Sequence, residues 1–304
     1  MRKFLIHTAR FLALFSLVFF GVATFASFNP GLEKKVFSTP SFHGATSLRM
    51  PDLKAWALLD DGREKMLFLG PSTLYRGVDP GILSDAGIVA FNGGSSGQRM
   101  VNAYFLLRYV EDLGHTDILV LDVFPMLWGK GTGVESARDL LVNNPEYPAS
   151  AFARMAFASL DVRNVFLAAF YAIKRGIYNR DAIRVNPPAE DEYRGNGFVY
   201  THDPKKKSPT PFPNTTRMTA REWRFFNRIK MLCEKQGIKL VVLIPPEVYP
   251  TKYENPFKPG TRILNAQEAP IDSALFYDNH HLLGQGAELY SHWLKQQLSV
   301  ILAE

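Results

Sequence analysis

Three short stretches of this 304-residue chain combine residue types that could do acyl chemistry. The first is Gly70-Pro71-Ser72-Thr73, which follows the apolar run 66–69. A serine just past a strand opens a helix or turn, so its hydroxyl is exposed beside unpaired backbone N–H groups. The second is Phe276-Tyr277-Asp278-Asn279-His280-His281-Leu282. A histidine can take the serine proton, and a carboxylate can hold the imidazole in the right tautomer. Asp278 and His281 are three residues apart, so one turn can join them, and the same spacing favours His281 over His280 as the base. The third is Asn92-Gly93-Gly94-Ser95-Ser96-Gly97. Here the N–H groups of Gly93 and Gly94, with that of Ser72 and the Asn92 amide, are the expected oxyanion donors.

Each stretch also has a plainer reading. A serine after a strand is commonly only a turn. The glycine-rich loop carries neither a Walker lysine nor a full dinucleotide fingerprint, which argues against phosphate. Asp278, His280 and His281 could ligate a metal, yet the sequence supplies no second His/Asp cluster. No cofactor and no metal are expected. The order of the three stretches is far more specific than any one of them.

These residues need a scaffold. Runs 66–69, 88–91, 118–124 and 239–244 are very apolar, broken only by Asp122 and Lys239, as parallel strands buried on both faces are. Helix-period stretches alternate with them at 98–113, 151–178, 219–236 and 284–302. The alternation predicts an α/β sandwich with a mostly parallel sheet, whose sites form outside the carboxyl ends of the strands. The segment 129–218 breaks the alternation and reads as an insertion, partly helical and partly loop, that either roofs the site or is a surface excursion. It holds Asn186-Pro187-Pro188 and the lysines 205–207, which read as a solvated loop or, less simply, as a contact for an anionic polymer or headgroup.

The composition hides two materials. Residues 1–28 open with Arg2, Lys3 and Arg10, then run from Phe11 to Phe28 without a charge, about 18 residues and near the minimum for a membrane span. Basic residues before the span place the body outside the cytoplasm, on the periplasmic face of the inner membrane in a Gram-negative cell or on the extracellular face. An uncleaved anchor is favoured over a cleaved signal peptide, for which Thr24 and Ala26 are poor cut-site residues. Residues 29–50 read as a linker and 51–304 as the domain. The net charge of +6 falls to about +3 once the three anchor cations are set aside, too little to argue for nucleic acid. One cysteine, Cys233, excludes an internal disulfide.

Phe68-Leu69-Gly70-Pro71-Ser72 resembles the first block of the SGNH/GDSL hydrolase superfamily, with Pro71 where Asp is commonest. Asp278-Asn279-His280-His281 is similar to that family's Asp-x-x-His block. The wording around Tyr75-Arg76-Gly77-Val78-Asp79-Pro80, Phe91-Asn92-Gly93-Gly94 and 277–290 resembles, more narrowly, the membrane-anchored SGNH-like proteins that accompany membrane-bound O-acyltransferases in teichoic-acid D-alanylation and alginate O-acetylation. The resemblance covers roughly 64–128 and 237–300 and leaves the insertion unmatched. It implies a flavodoxin-like three-layer fold and esterase or acyl-transfer chemistry on a cell-envelope polysaccharide. Implied partners are an acyl donor or acylated polysaccharide, the membrane and a membrane-bound O-acyltransferase. The family's third block offers an Asn after the third strand, but here Asp122 stands there, and an ionised carboxylate would repel an oxyanion. Two further expectations therefore stand beside the enzyme: a catalytically silent domain that binds polymer or docks on an acyltransferase, and a lipid-active hydrolase.

Overall fold

Val, Ile, Leu and Phe fill the runs that become strands, and the elements between them follow from caps and turn residues. The computed structural model describes residues 1–36, 49–129, 133–144, 147–180, 189–202, 204, 206–257 and 260–303. Pro40, His43 and Gly44 of the expected linker, the stretch from Asn186 to Pro188, and Lys205 lie outside the described residues. Among the described residues the strands are Glu64–Leu69 (β1), Ile88–Asn92 (β2), Ile118–Asp122 (β3), Asp191–Tyr193 (β4), Val199–Thr201 (β5), Lys239–Ile244 (β6) and Ile263–Asn265 (β7). The helices are Arg2–Phe28 (α1), Pro30–Val36 (α2), Arg49–Ala57 (α3), Ser72–Gly77 (α4), Pro80–Leu83 (α5), Met100–Leu113 (α6), Val134–Asn143 (α7), Ala149–Ser159 (α8), Val162–Gly176 (α9), Ala220–Gln236 (α10) and Gly284–Ala303 (α11).

Five strands form the central sheet in the order β2-β1-β3-β6-β7, each pair parallel. Leu67, Leu69, Leu119, Leu121, Val242 and Ile244 belong to one buried cluster with Leu107 of α6 and Phe225 and Ile229 of α10. Met66, Phe68, Ile118, Val120, Val241 and Leu243 belong to another, with Tyr290, Leu294 and Leu298 of α11. Alternate side chains thus enter two cores, so the strands show no polar face. Each fully buried Leu, Ile or Phe contributes roughly 1.5–3 kcal/mol. The fold is α/β, as expected. Strand β7, three residues long, escapes an apolar-run reading because Asn265 ends it.

Helix α10 begins at Thr219, whose hydroxyl accepts from the Glu222 N–H, and ends at Gly237 with φ 75°. The single helix expected over 151–178 is instead a pair, α8 and α9. Leu160 turns left-handed at φ 55°, and the Asp161 carboxylate accepts from the Arg163 N–H to start the second helix. Apolar periodicity runs straight through that break, which the cap creates. The insertion also holds the β4–β5 hairpin. Its ion pair, Arg76 with Asp191, ties it to α4, and Arg76 also donates to Thr201 at 2.7 Å. Gly197, at φ 84°, passes so close to β2 that a Cβ there would lie 1.8 Å from the Asn92 carbonyl oxygen.

That hairpin and the turn at Ser84 and Asp85 together cover the outer edge of β2. The Asn92 N–H donates to the Asn196 carbonyl at 2.8 Å, the Ala90 N–H to the Ser84 hydroxyl at 3.0 Å, and the Asp85 N–H to the Ile88 carbonyl at 2.9 Å.

The lead-in is more ordered than a linker at the residues described. Helix α2 buries Glu33, which pairs with Lys174 and accepts from the Tyr171 hydroxyl at 3.2 Å. Helix α1 has 27 residues, about 40 Å, and is long and apolar enough to cross a membrane. It runs unbroken through Thr24 and Ala26, with Ala23, Ala26 and Ser27 buried.

Candidate active site

Strand β1 delivers the chain to Gly70, and α4 begins two residues later at Ser72. Gly70 is required there: a Cβ would lie 2.5 Å from Cβ of Asp122 at the end of β3. The N–H groups of Ser72 and Thr73 open α4 with no hydrogen-bond partner among the described residues. Ser72 therefore stands at the carboxyl edge between β1 and β3, where the strand order reverses and sites in open α/β sheets form.

The acid and base arrive on a pinched loop. Phe276 bridges Leu282 antiparallel, the Tyr277 N–H donates to the His281 carbonyl at 3.0 Å, and the Leu283 N–H to the Leu275 carbonyl at 2.8 Å. Asp278 Oδ1 accepts the N–H groups of His280 and His281, each at 2.9 Å. Its Oδ2 lies 2.8 Å from His281 Nδ1, and His281 Nε2 lies 2.8 Å from Ser72 Oγ. With the Nδ1 proton donated to Asp278, Nε2 presents its lone pair to the serine hydroxyl. The Tyr277 ring lies parallel to the imidazole, 5.2 Å away.

The loop is anchored by a residue that sequence reasoning missed. Asn279 accepts from the Tyr249 N–H at 2.9 Å, and its carbonyl accepts from the Val248 N–H at 2.8 Å. Its amide reaches the buried Glu247 at 3.3 Å. The segment after β6 thus holds the Asp-x-x-His turn. The Lys207 N–H, from the far end of the insertion, donates to the Tyr277 carbonyl at 2.7 Å.

Electrostatics separates the two histidines. Burial pushes the Asp278 carboxyl up, but the hydrogen bond and charge of His281, with His280 adding to them, hold it well below the usual carboxylate range. His280 is lowered to about 4 by burial and by the His281 charge, so it is neutral at pH 7. Its ring packs 4.1 Å from His281 and 5.1 Å from Phe124, and its buried Nδ1, 3.8 Å from Asp278 Oδ1, has no hydrogen-bond partner among the described residues. His281, and not His280, is the ring that bridges Asp278 and Ser72.

Three of the expected oxyanion donors are already committed. The Gly93 N–H donates to the Phe68 carbonyl at 2.8 Å and the Gly94 N–H to Asn92 Oδ1 at 3.0 Å. The Asn92 amide donates to the carbonyls of Leu74 and Val78 at 2.9 and 3.0 Å. Of the expected set, only the Ser72 N–H is left, with that of Thr73 beside it. The reading misplaced these donors because their partners come from neighbouring strands and from α4, which spacing does not reveal. The glycine loop is structural: Gln98 donates to the Gly93 carbonyl at 3.0 Å, and the buried Arg49 donates to the Gly94 carbonyl.

Asp122 is the departure from the resembled pattern, and its setting softens the repulsion. It accepts from the Thr73 hydroxyl at 2.9 Å and the Phe124 N–H at 2.8 Å. Complete burial outweighs these bonds and pushes the carboxyl up to about 7. At neutral pH a large share of it carries no charge. Asp278, His280 and His281 offer ligand atoms within 4.8 Å of one another, but both His281 nitrogens already bond Asp278 and Ser72. A metal there would have to displace the serine contact.

The chain matches no protein-family model, and the comparison with curated proteins returns no relative.

Proposed function

We propose that the protein is a membrane-anchored serine esterase or O-acyltransferase of the SGNH type. It would act on an acylated envelope or extracellular polysaccharide from the outer side of the membrane that α1 crosses. The observation that carries the reading is the continuous relay from Ser72 through His281 to Asp278, with both contacts at 2.8 Å. Ser72 attacks the acyl carbonyl while His281 takes its proton. The oxyanion forms against the N–H groups of Ser72 and Thr73. His281 returns the proton to the leaving alkoxide, and a sugar hydroxyl or water then releases the acyl group. The all-parallel order β2-β1-β3-β6-β7, equivalent to the flavodoxin-like order 2-1-3-4-5, supports the fold that the resemblance implies.

Intact-mass detection of a fluorophosphonate adduct at Ser72 tests the reading. The wild-type chain gains one adduct, and Ser72→Ala gains none and loses esterase turnover by on the order of 10⁶-fold. A Ser72→Ala chain that keeps its esterase activity overturns the mechanism.

The thin oxyanion site favours a second reading, a silent domain that binds polymer or docks on a membrane-bound O-acyltransferase. Absence of any adduct on the folded wild type selects it. Comparing acetylated sugar with phospholipid as substrate separates the polysaccharide enzyme from a lipid hydrolase.

A further inference from the structure

Helices α1 and α9 lie side by side and run in the same direction. Phe15 and Phe19 pack on Phe166, with ring centres 5.8 and 5.6 Å apart. Further along, the Thr24 hydroxyl meets the Tyr178 hydroxyl at 2.8 Å, and Phe28 meets the same ring edge-on at 5.1 Å. From Phe15 to Phe28 is about 20 Å of helix, out of about 27 Å of uncharged helix from Phe11 to Phe28. A hydrocarbon core is about 30 Å thick. If the contact with α9 lay outside the bilayer, residues 2–14, with Arg2, Lys3 and Arg10, would be all that remained to cross it. That stretch is too short and too charged. A crossing α1 therefore takes α9 into the membrane with it.

The surface of the α8–α9 hairpin fits that placement. At its turn Phe157, Leu160 and Val162 are 66%, 78% and 63% exposed. Leu160 holds the left-handed position where glycine or asparagine is usual, so an apolar side chain stands out that none of the described residues covers. The neighbouring charges are muted, since Arg163 closes on Asp161 at 2.6 Å. Between α1 and α9 runs a groove of about 430 Å³, lined by Phe15, Val22, Phe166 and Leu167 with Arg138 and Arg163.

We infer that the α8–α9 hairpin is a second membrane element, embedded beside α1 with its Phe157–Leu160–Val162 tip in lipid. The inference rests on the reading that α1 crosses a membrane. The Arg221 guanidinium donates to the Ser159 carbonyl at 2.8 Å, tying the tip to the first turn of α10, and the Thr219 N–H donates to the Trp128 carbonyl just beyond β3. Those contacts put the tip on the carboxyl edge of the sheet, the edge that carries Ser72. Embedding the tip turns the catalytic edge toward the membrane surface.

Single-site labelling of the full chain tests this. Cys233 is buried and its thiol is pushed up to about 12, so an introduced cysteine is the one that reacts. The variants Leu160→Cys, Val162→Cys, Phe20→Cys and Met231→Cys carry a fluorescent probe in phosphatidylcholine–phosphatidylglycerol vesicles with mid-chain brominated lipids. The expected result is severalfold stronger quenching at positions 160 and 162 than at the exposed position 231 on α10, matching position 20 on α1. Quenching at 20 without quenching at 160 and 162 overturns the embedded hairpin and leaves the anchor standing. No quenching at 20, 160 or 162 overturns the crossing helix, and this inference with it.

Discussion

The imidazole of His281 hydrogen-bonds two side chains, Asp278 and Ser72, that differ in how far they can be altered without disturbing the turn. Asp278→Asn keeps the size and the backbone contacts of the loop but lets the ring take the wrong tautomer. Turnover should fall by about 10⁴-fold with near-wild-type stability, as steady-state kinetics and denaturant melts together would show. Asp122 supplies a prediction of opposite sense. Its charge appears as pH rises through about 7, so kcat/KM should decline above that pH, and Asp122→Asn should abolish the alkaline decline. The linkage has a definite direction. The folded pKa lies above the unfolded one, so the stabilisation is full below about pH 4 and is lost as pH rises toward 7. Between pH 5 and pH 8 the wild type should lose about 3 kcal/mol relative to Asp122→Asn in urea melts. The grouping of Ser72, His281 and Asp278 was legible because it depends on residue type and a spacing of three. The oxyanion donors were not, because a backbone N–H looks the same in sequence whether or not Phe68 O or Asn92 Oδ1 already holds it.

Among the elements, α4 carries Ser72 and is only six residues long, so its position depends on what grips it. The β4–β5 hairpin does so through Arg76 and Asp191, a buried pair whose loss typically costs about 3–5 kcal/mol. The same hairpin needs Gly197 to pass β2. Gly197→Ala should destabilise the chain by at least about 2 kcal/mol through left-handed strain and the clash with Asn92. It should also make residues 189–202 cleavable by protease before the sheet unfolds, and limited proteolysis followed by mass spectrometry checks this. Long buried strands and helices such as α10 were readable from apolar runs and helix periodicity. The three-residue strands β4, β5 and β7 were not, since strands that short leave no period to detect. The α8–α9 break was hidden because Leu160 continues the apolar pattern while turning the backbone the other way.

Across the whole molecule, α1 is packed into the body as well as long enough to anchor it. Phe19 packs against the larger core cluster, to which Ala23 and Ala26 belong, so a chain beginning at Asn29 would uncover Phe166 and its neighbours. Such a chain should self-associate without detergent while the full chain in detergent stays monodisperse, as light scattering would report. The closure of β2 matters to the same question. An exposed strand at the rim of a sheet is a template on which another chain can add its own strand. Here the outward-facing Ile88 carbonyl and the Ala90 and Asn92 N–H groups are taken by the Asp85 N–H, the Ser84 hydroxyl and the Asn196 carbonyl, while the opposite rim, β7, is three residues long. Neighbouring copies brought close together are thereby denied most of the backbone donors on which one sheet could extend into the next.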